Sequence, residues 1–490
     1  MRVAIEGCCH GNLDQIYKAV AKKKIDLLLI CGDFQSIRNY ADLQSMSVPD
    51  KYKKVGDFQK YYTGKEKAPV FIIFIGGNHE SSQYLDELKY GGFVAPNIYY
   101  MGRSSVVWYK GLRIGGMSGI YYKPNFMKPR PKEFTFPLDK VDLRGIYHYR
   151  KEDYFKFRIL KESNDMVMLS HDWPEGIYQY GDVAKLIEMK PFFKKDTIEH
   201  TLGSPFLMQL VHSLRPKNWF SAHLHVKFTA KINWKDEDQK KRELLDCEQV
   251  LQVNKKRKVK EIKNTNEIKL DMSDIENLET DTNEKVTSKK DITTDEIELD
   301  MCCEDESSES RALESNTLEL EINTHKKEDE IDLSLELTEE DKPKDINGAG
   351  PSTKFLSLDK CLAKRKWLEI LDIQPTDPDH ISNQNRRLPF FHDEEYISSL
   401  RVIEKHKRRL DDLTYDQTLN PPSLLLEEFP ALKDYYLKEY KELDEERQVD
   451  LFSIPIQKSS FKKTASENLK QPQVFSNPQT REFEKKFLCK

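Results

Sequence analysis

At roughly 100–200 residues per domain, a chain of 490 residues allows two to four domains. Charged residues make up 33%, and the longest apolar run, Val70 to Ile75, is far below the ~18 residues a membrane span needs, so no membrane contact is expected. The net charge of −5 hides a division: residues 1–234 carry 35 Lys and Arg against 24 Asp and Glu, and the remainder is strongly acidic. An acidic partner such as nucleic acid therefore suits the first part and not the bulk of the second. The chain opens directly into the strand-like Met1–Ile5 without a leader pattern, and its eight Cys include no CxxC. A reducing compartment is expected.

In chain order, strands are predicted at Val3–Glu6, Leu27–Cys31, Val70–Ile75, Arg113–Gly115, Met166–Ser170 and Trp219–Ala222. Helical patterns lie between them, at Leu13–Lys23, Gln83–Lys89 and Pro205–Leu214. Continuously apolar strands alternating with helices indicate a layered α/β fold over residues 1–234. After Trp234 the next aromatic residue is Phe355, and residues 271–350 hold 27 Asp and Glu against 8 Lys and Arg. Such a stretch buries too little apolar surface to offset its ordering entropy, so 235–352 is expected to be a long disordered acidic insert. No feature identifies a protein partner for it. Apolar and aromatic positions return over 353–450, including Trp367, Phe390, Phe391, Tyr396 and Leu400. A small, mainly helical region packing back on the first domain is expected there. The polar segment 451–490 is expected to be a flexible tail.

The predicted strands end on metal-binding residue types. The first ends at Gly7-Cys8-Cys9-His10, the second at Gly32-Asp33, and the third at Gly76-Gly77-Asn78-His79-Glu80. The two near the end of the first part finish at Ser170-His171-Asp172 and Ala222-His223-Leu224-His225. A lone His or a Gly-Asp pair is ordinary. His223-x-His225 is more specific, because alternation points both rings one way. Together the ends offer imidazole and carboxylate ligands suited to Zn²⁺, Fe²⁺ or Mn²⁺, one or two ions per site.

This ordered set resembles the calcineurin-like metallophosphoesterases, whose fold is an αββα sandwich. It departs at Cys8, where that superfamily usually has Asp, and Cys at this place resembles the RNA lariat debranching enzymes. Longer stretches agree: Ile146–Arg150, Leu169–Pro174, Thr201–Pro205, Trp219–Phe228 and Leu358–Leu362. The resemblance implies a first metal pocket of His10, Asp33 and His225 with Cys8 nearby. The second would use Asp33, Asn78, His171 and His223, with Asp33 bridging. Cys8 reads equally as a ligand or as a small buried hydrophobe; Cys9 reads as core. His79 would be the general acid. Glu80 either supports its turn or, the better reading, is an acid at a helix N-terminus.

Residues 121–160 contain ten Lys and Arg and ten Phe and Tyr. Cations for phosphates and flat rings for bases suit single-stranded RNA. The candidate substrate-binding residues are Tyr121, Tyr122, Lys123, Lys128, Arg130, Arg144, Tyr147, His148 and Arg150, with Lys132 and Phe136 in the same stretch. Prolines 124, 129, 131 and 137 argue against a regular helix there. The resemblance implies metal-dependent hydrolysis of the 2′–5′ phosphodiester at the branch of an excised intron lariat. The alternatives are a general metallophosphoesterase or nucleotide phosphodiesterase on the same fold, or a scaffold that has lost its metals. Lys255–Val259, Lys-Lys-Arg-Lys-Val, reads as a nuclear-localisation signal or as a solvated charge run.

Overall fold

The computed structural model describes residues 1–131, 134–135, 137–243, 350–385, 387, 389–447 and 450–488. Lys132, Phe136, Lys255–Val259 and most of the acidic insert lie outside the described residues.

Thirteen strands are described, β1 (Arg2–Glu6), β2 (Leu27–Ile30), β3 (Ile72–Phe74), β4 (Gly92–Ala95), β5 (Ile98–Tyr100), β6 (Ser104–Tyr109), β7 (Leu112–Met117), β8 (Val167–Ser170), β9 (Asn218–Ser221), β10 (Phe228–Asn233), β11 (Ser352–Ser357), β12 (Leu368–Asp372) and β13 (Phe390–His392). They form two sheets, ordered β12-β1-β2-β3-β5-β4 and β10-β11-β9-β8-β7-β6-β13. Strand alternation divides the apolar residues between two layers. Val3, Ile5, Leu27, Leu29, Ile73 and Ile75 of the first sheet meet Val107, Ile114, Val167, Leu169 and Phe220 of the second. Ala4, Leu28, Ile30, Ile72 and Phe74 face outward onto a helix, Leu13–Val20, through its Leu13, Ile16, Tyr17 and Val20. That i, i+3, i+4, i+7 stripe is why this segment is helical and why it docks here. Each large apolar side chain buried this way is worth ~1.5–3 kcal/mol. Burial on both faces explains the unbroken apolar runs of the central strands. The αββα sandwich expected from the resemblance is the fold found.

The C-terminal part holds the expected mainly helical region and also adds strands that the sequence did not predict. Two helices, Glu394–Asp411 and Ser423–Arg447, do form, but three strands complete the sheets. β12 pairs antiparallel with β1, β13 with β6, and β11 inserts between β9 and β10. The described residues from 350 onward belong to one unit with the described residues 1–243. The end of the chain is not a loose tail. Phe483 and Phe487 are buried. Tyr62 donates to the Ala465 carbonyl (2.9 Å), Arg38 donates to Thr464 Oγ1 (2.8 Å), and the Gln479 amide exchanges two bonds with the Phe93 backbone (2.8 and 3.0 Å). A polar composition concealed these polar anchors. Past Trp234 a helix runs over 234–243.

Candidate metal centre and RNA face

All five motif loops leave the C-terminal ends of β1, β2, β3, β8 and β9, the usual ligand side of parallel strands. Their turns are tight and strained. His10 (φ 46°), Asp33 (φ 47°), His223 (φ 61°) and His225 (φ 48°) all sit in the left-handed region, where a non-glycine residue costs of order 1–3 kcal/mol. Two glycines make the close approach feasible. A Cβ on Gly32, itself at φ +119°, would meet His171 Nδ1 at 2.2 Å, and one on Gly77 would meet Asp33 Oδ1 at 2.1 Å. Backbone bonds lock the loops together: His10 N donates to the Asp33 carbonyl (2.7 Å) and Ala222 N to that of His171 (3.1 Å).

Asp33 stands between two groups of donors. Its Oδ2 lies 3.7 Å from His10 Nε2, and its Oδ1 lies 3.5 Å from His171 Nε2. On the first side, His10 Nε2 is 3.4 Å from His225 Nε2. One donor atom each from Cys8, His10, Asp33 and His225 falls within 4.8 Å of the others. On the second side, His171 Nε2 is 3.1 Å from Asn78 Oδ1, and the His171 and His223 rings are 5.0 Å apart. His171 Nδ1 meets the Cys31 carbonyl at 2.8 Å, which aims its other nitrogen into the site. The expected two pockets sharing Asp33 are therefore brought together.

The charge states suit a divalent cation. Burial lowers the pKa of His10 to about 4 and of His223 to about 3, and lowers those of His171 and His225 as well. Burial opposes ionisation of Asp33, yet His171, His79 and His10 together hold its pKa well below the usual carboxylate range. Neutral imidazoles around an ionised carboxylate are the state in which these groups ligate. Asp33 Oδ2, His79 Nδ1 and His223 Nδ1 are buried without a hydrogen-bond partner. Buried polar atoms are normally satisfied, so these orphans and the donor set fit metal ions here.

Cys8 meets both sequence readings. It is fully buried among the residues between the sheets, and its sulfur belongs to the first donor group. Sγ also accepts from His223 N at 3.3 Å. Cys9 is core, as expected. His79 N donates to Asp33 Oδ1 (2.9 Å), its Nδ1 is 3.4 Å from Asp33 Oδ2, and its Nε2 is 3.1 Å from Asn78 Nδ2. Glu80 corrects the expectation of a helix N-terminal acid. Buried, it accepts from Phe34 N (2.7 Å), Gln35 N (2.8 Å) and Gly77 N (3.0 Å), bracing the Asp33 turn against the Asn78 turn. Burial and neighbouring Asp33 push its pKa up to about 8.

The basic aromatic loop starts beside the second pocket, where Tyr121 N donates to Asp172 Oδ2 at 3.2 Å. Its proline-bearing part forms one-turn helices, Lys123–Met127 and Lys140–Gly145, and a two-turn helix, Lys151–Arg158, closes the stretch. Lys123, Lys128 and Arg144 are exposed, and Tyr121, Tyr122 and Tyr147 are half-buried. Three expected RNA contacts point inward instead. Arg130 donates to the Ile146 and His148 carbonyls and to Asp153 Oδ2 (3.1, 3.2 and 3.0 Å). Arg150 donates to the His148 and Gly145 carbonyls, both at 3.0 Å. His148 is fully buried and meets Asn125 at 2.7 Å. These bonds hold the loop closed on itself. Sequence reasoning also missed Tyr415. Its hydroxyl lies 3.4 Å from that of Tyr121, and Lys123 Nζ lies 3.9 Å from its ring centroid. The only local signal is a helix-start capping box, Thr414 with Gln417, which says nothing of RNA.

Comparison with known proteins agrees with this geometry. Residues 1–227 match the calcineurin-like phosphoesterase family, and residues 350–488 match the lariat debranching enzyme C-terminal domain. The chain is 38% identical to the lariat debranching enzyme of Saccharomyces cerevisiae over 85% of this chain and 87% of that one. It is 38% identical to the Schizosaccharomyces pombe enzyme over 99% and 95%. Identity to the Homo sapiens enzyme is 49%, over 49% of this chain and 44% of that one. With these shares of both fungal chains matched, this chain belongs to the lariat debranching enzyme family.

Proposed function

We propose that the protein is a metal-dependent phosphodiesterase that opens excised intron lariats by hydrolysing the 2′–5′ phosphodiester at the branch. The observation that carries this is Asp33 set between two groups of neutral donors, with a basic aromatic loop rising from the same rim. Cys8, His10, Asp33 and His225 would hold one ion, and Asp33, Asn78, His171 and His223 the other. When bound, such ions lower the pKa of water toward neutrality and neutralise charge developing on the phosphate. The mixed sulfur, imidazole and carboxylate set suits Fe²⁺, Zn²⁺ or Mn²⁺.

The chain's own residues do the remainder. Asp33 fixes the His79 turn by accepting from its backbone N (2.9 Å), and the His79 imidazole at the rim would deliver a proton to the leaving oxygen. Lys123, Lys128 and Arg144 offer exposed cations to the RNA backbone, and Tyr121, Tyr122 and Tyr147 offer rings to unpaired bases. A nuclear location follows from the intron substrate and from Lys255–Val259.

Incubating the protein with purified lariat RNA, linear 2′–5′ and 3′–5′ dinucleotides and a chelator control tests the reading. Linearisation of the lariat that stops with chelator supports it. Equal turnover of the 3′–5′ dinucleotide would replace it with a general phosphodiesterase.

A further inference from the structure

Leu358–Leu362, in the sequence only a family-like stretch, runs beside the first metal pocket. Cys8 N donates to the Asp359 carbonyl (3.3 Å), and Cys361 N donates to the Cys8 carbonyl (3.1 Å). Between these two bonds, Lys360 bridges Cys8 as its parallel cross-strand partner. The approach depends on Gly7, where a Cβ would meet the Asp359 carbonyl at 2.2 Å. The segment is also fixed from its own side. Asp359 Oδ1 accepts from Lys360 N (2.7 Å) and from Arg365 Nη1 (3.3 Å). The C-terminal part thus sets a half-buried lysine against the loop that carries Cys8 and His10.

We propose that Lys360 contacts a non-bridging oxygen of the scissile phosphate on the Cys8, His10 and His225 side of the site. This rests on the phosphodiesterase reading above. As the bridged partner of Cys8, Lys360 stands directly across from the residue whose sulfur belongs to the first donor group. A phosphodiester gains negative charge on its non-bridging oxygens as water attacks. An ammonium already in place stabilises that charge without reorganisation. The basic loop at 121–160 starts beside the second pocket. Lys360 supplies a cation at the first, from a part of the chain more than three hundred residues away from Cys8.

The test uses the full chain with K360M, K360R and, as control, K364M at an exposed neighbour. Kinetics on lariat RNA, affinity for branched RNA in chelator, metal content and melting are measured together. K360M should lose about 10²-fold in kcat/KM and bind branched RNA more weakly without metal, while metal content and melting stay as in wild type. K360R should recover part of the loss, and K364M should lose nothing. Metal content falling in step with activity would overturn the proposal, as would unchanged binding and rate. Should K360M melt lower, K360R against K360Q makes the same comparison at near-constant length. A wild type that cleaves bis(4-nitrophenyl) phosphate but leaves lariats closed would overturn the debranching reading alone. The Lys360 variants are then compared on that diester.

Discussion

His79 is the residue whose role the geometry narrows most. It follows the donor Asn78, its Nδ1 faces Asp33, and its side chain keeps 13% exposure at the rim. His79→Ala should lower turnover by about 10²–10⁴-fold, the usual worth of a general acid, with metal content largely kept. Elemental analysis beside kinetics decides it; parallel loss of metal would make His79 a ligand. Gly77 tests the opposite case, a residue with no chemistry of its own. A methyl there would stand 2.1 Å from Asp33 Oδ1 and 2.6 Å from Asp33 N. Gly77→Ala should therefore displace the shared carboxylate and empty both pockets. A misplacement near 1 Å costs about 10²-fold in rate, and here metal content should fall with it. Retained stoichiometry in a titration would show that the Asp33 turn can yield.

The loop at 121–160 divides its cations between two tasks. Arg130 and Arg150 are buried and bonded to the loop's own carbonyls, and Arg130 also meets Asp153 on the next helix, Lys151–Arg158. That helix in turn touches the C-terminal part, through Lys156 with Glu404, Glu152 with Lys407, and Lys151 with the Asp411 and Leu413 carbonyls. Breaking a buried pair from one side costs about 3–5 kcal/mol. Arg130→Ala should lower the unfolding free energy from a urea titration by an amount of that order, and the midpoint with it. Lys128 is exposed, so Lys128→Ala should leave the midpoint unchanged and flatten the salt dependence of RNA binding by about one unit of slope. A Lys128→Ala protein with the wild-type salt slope would remove that residue from the RNA face.

Across the whole molecule, the acidic insert occupies the connection of a β-hairpin. β10 and β11 pair antiparallel from Phe228 with Ser357 to Asn233 with Ser352, and Trp234 N donates to the Pro351 carbonyl (3.1 Å). The ends of the insert are thus held as neighbours whatever its length. Loop closure depends only weakly on length, about 0.6 kcal/mol per doubling. Deleting residues 264–345 should leave melting and lariat opening near wild type, with a stability gain of at most ~1 kcal/mol. Precipitation of that variant, or loss of most activity on a short branched RNA, would show that the insert has a structural partner. Ending the chain at residue 447 should do the reverse. It removes the anchors on Tyr62, Arg38 and Phe93 and uncovers their pockets, so the melting temperature should fall. An unchanged melt would return the tail to the loose state its composition suggested.

The sequence determined the chemistry of the site and the frame of its first half. The apolar strands, their Gly-His and Gly-Asp ends, and the helices at Leu13 and Pro205 were all legible there. Each is a local pattern, and burial on both faces of a parallel sheet writes it directly into four or five residues. β4, β5, β6 and β10 were missed. So were β11, β12 and β13, because each of these three pairs with strands more than a hundred residues away, and nothing local says which edge will accept it. The RNA loop shows the same limit at one residue: composition counts Arg130 and Lys128 alike, and only packing separates a cation spent on buried carbonyls from one left in solvent. Tertiary structure alone set Tyr415 against Tyr121, Glu80 beneath two turns, and Lys360 beside Cys8. The physical reason is common to all three: residue type and spacing fix which chemistry a loop can offer, and the closure of distant segments fixes what that chemistry faces.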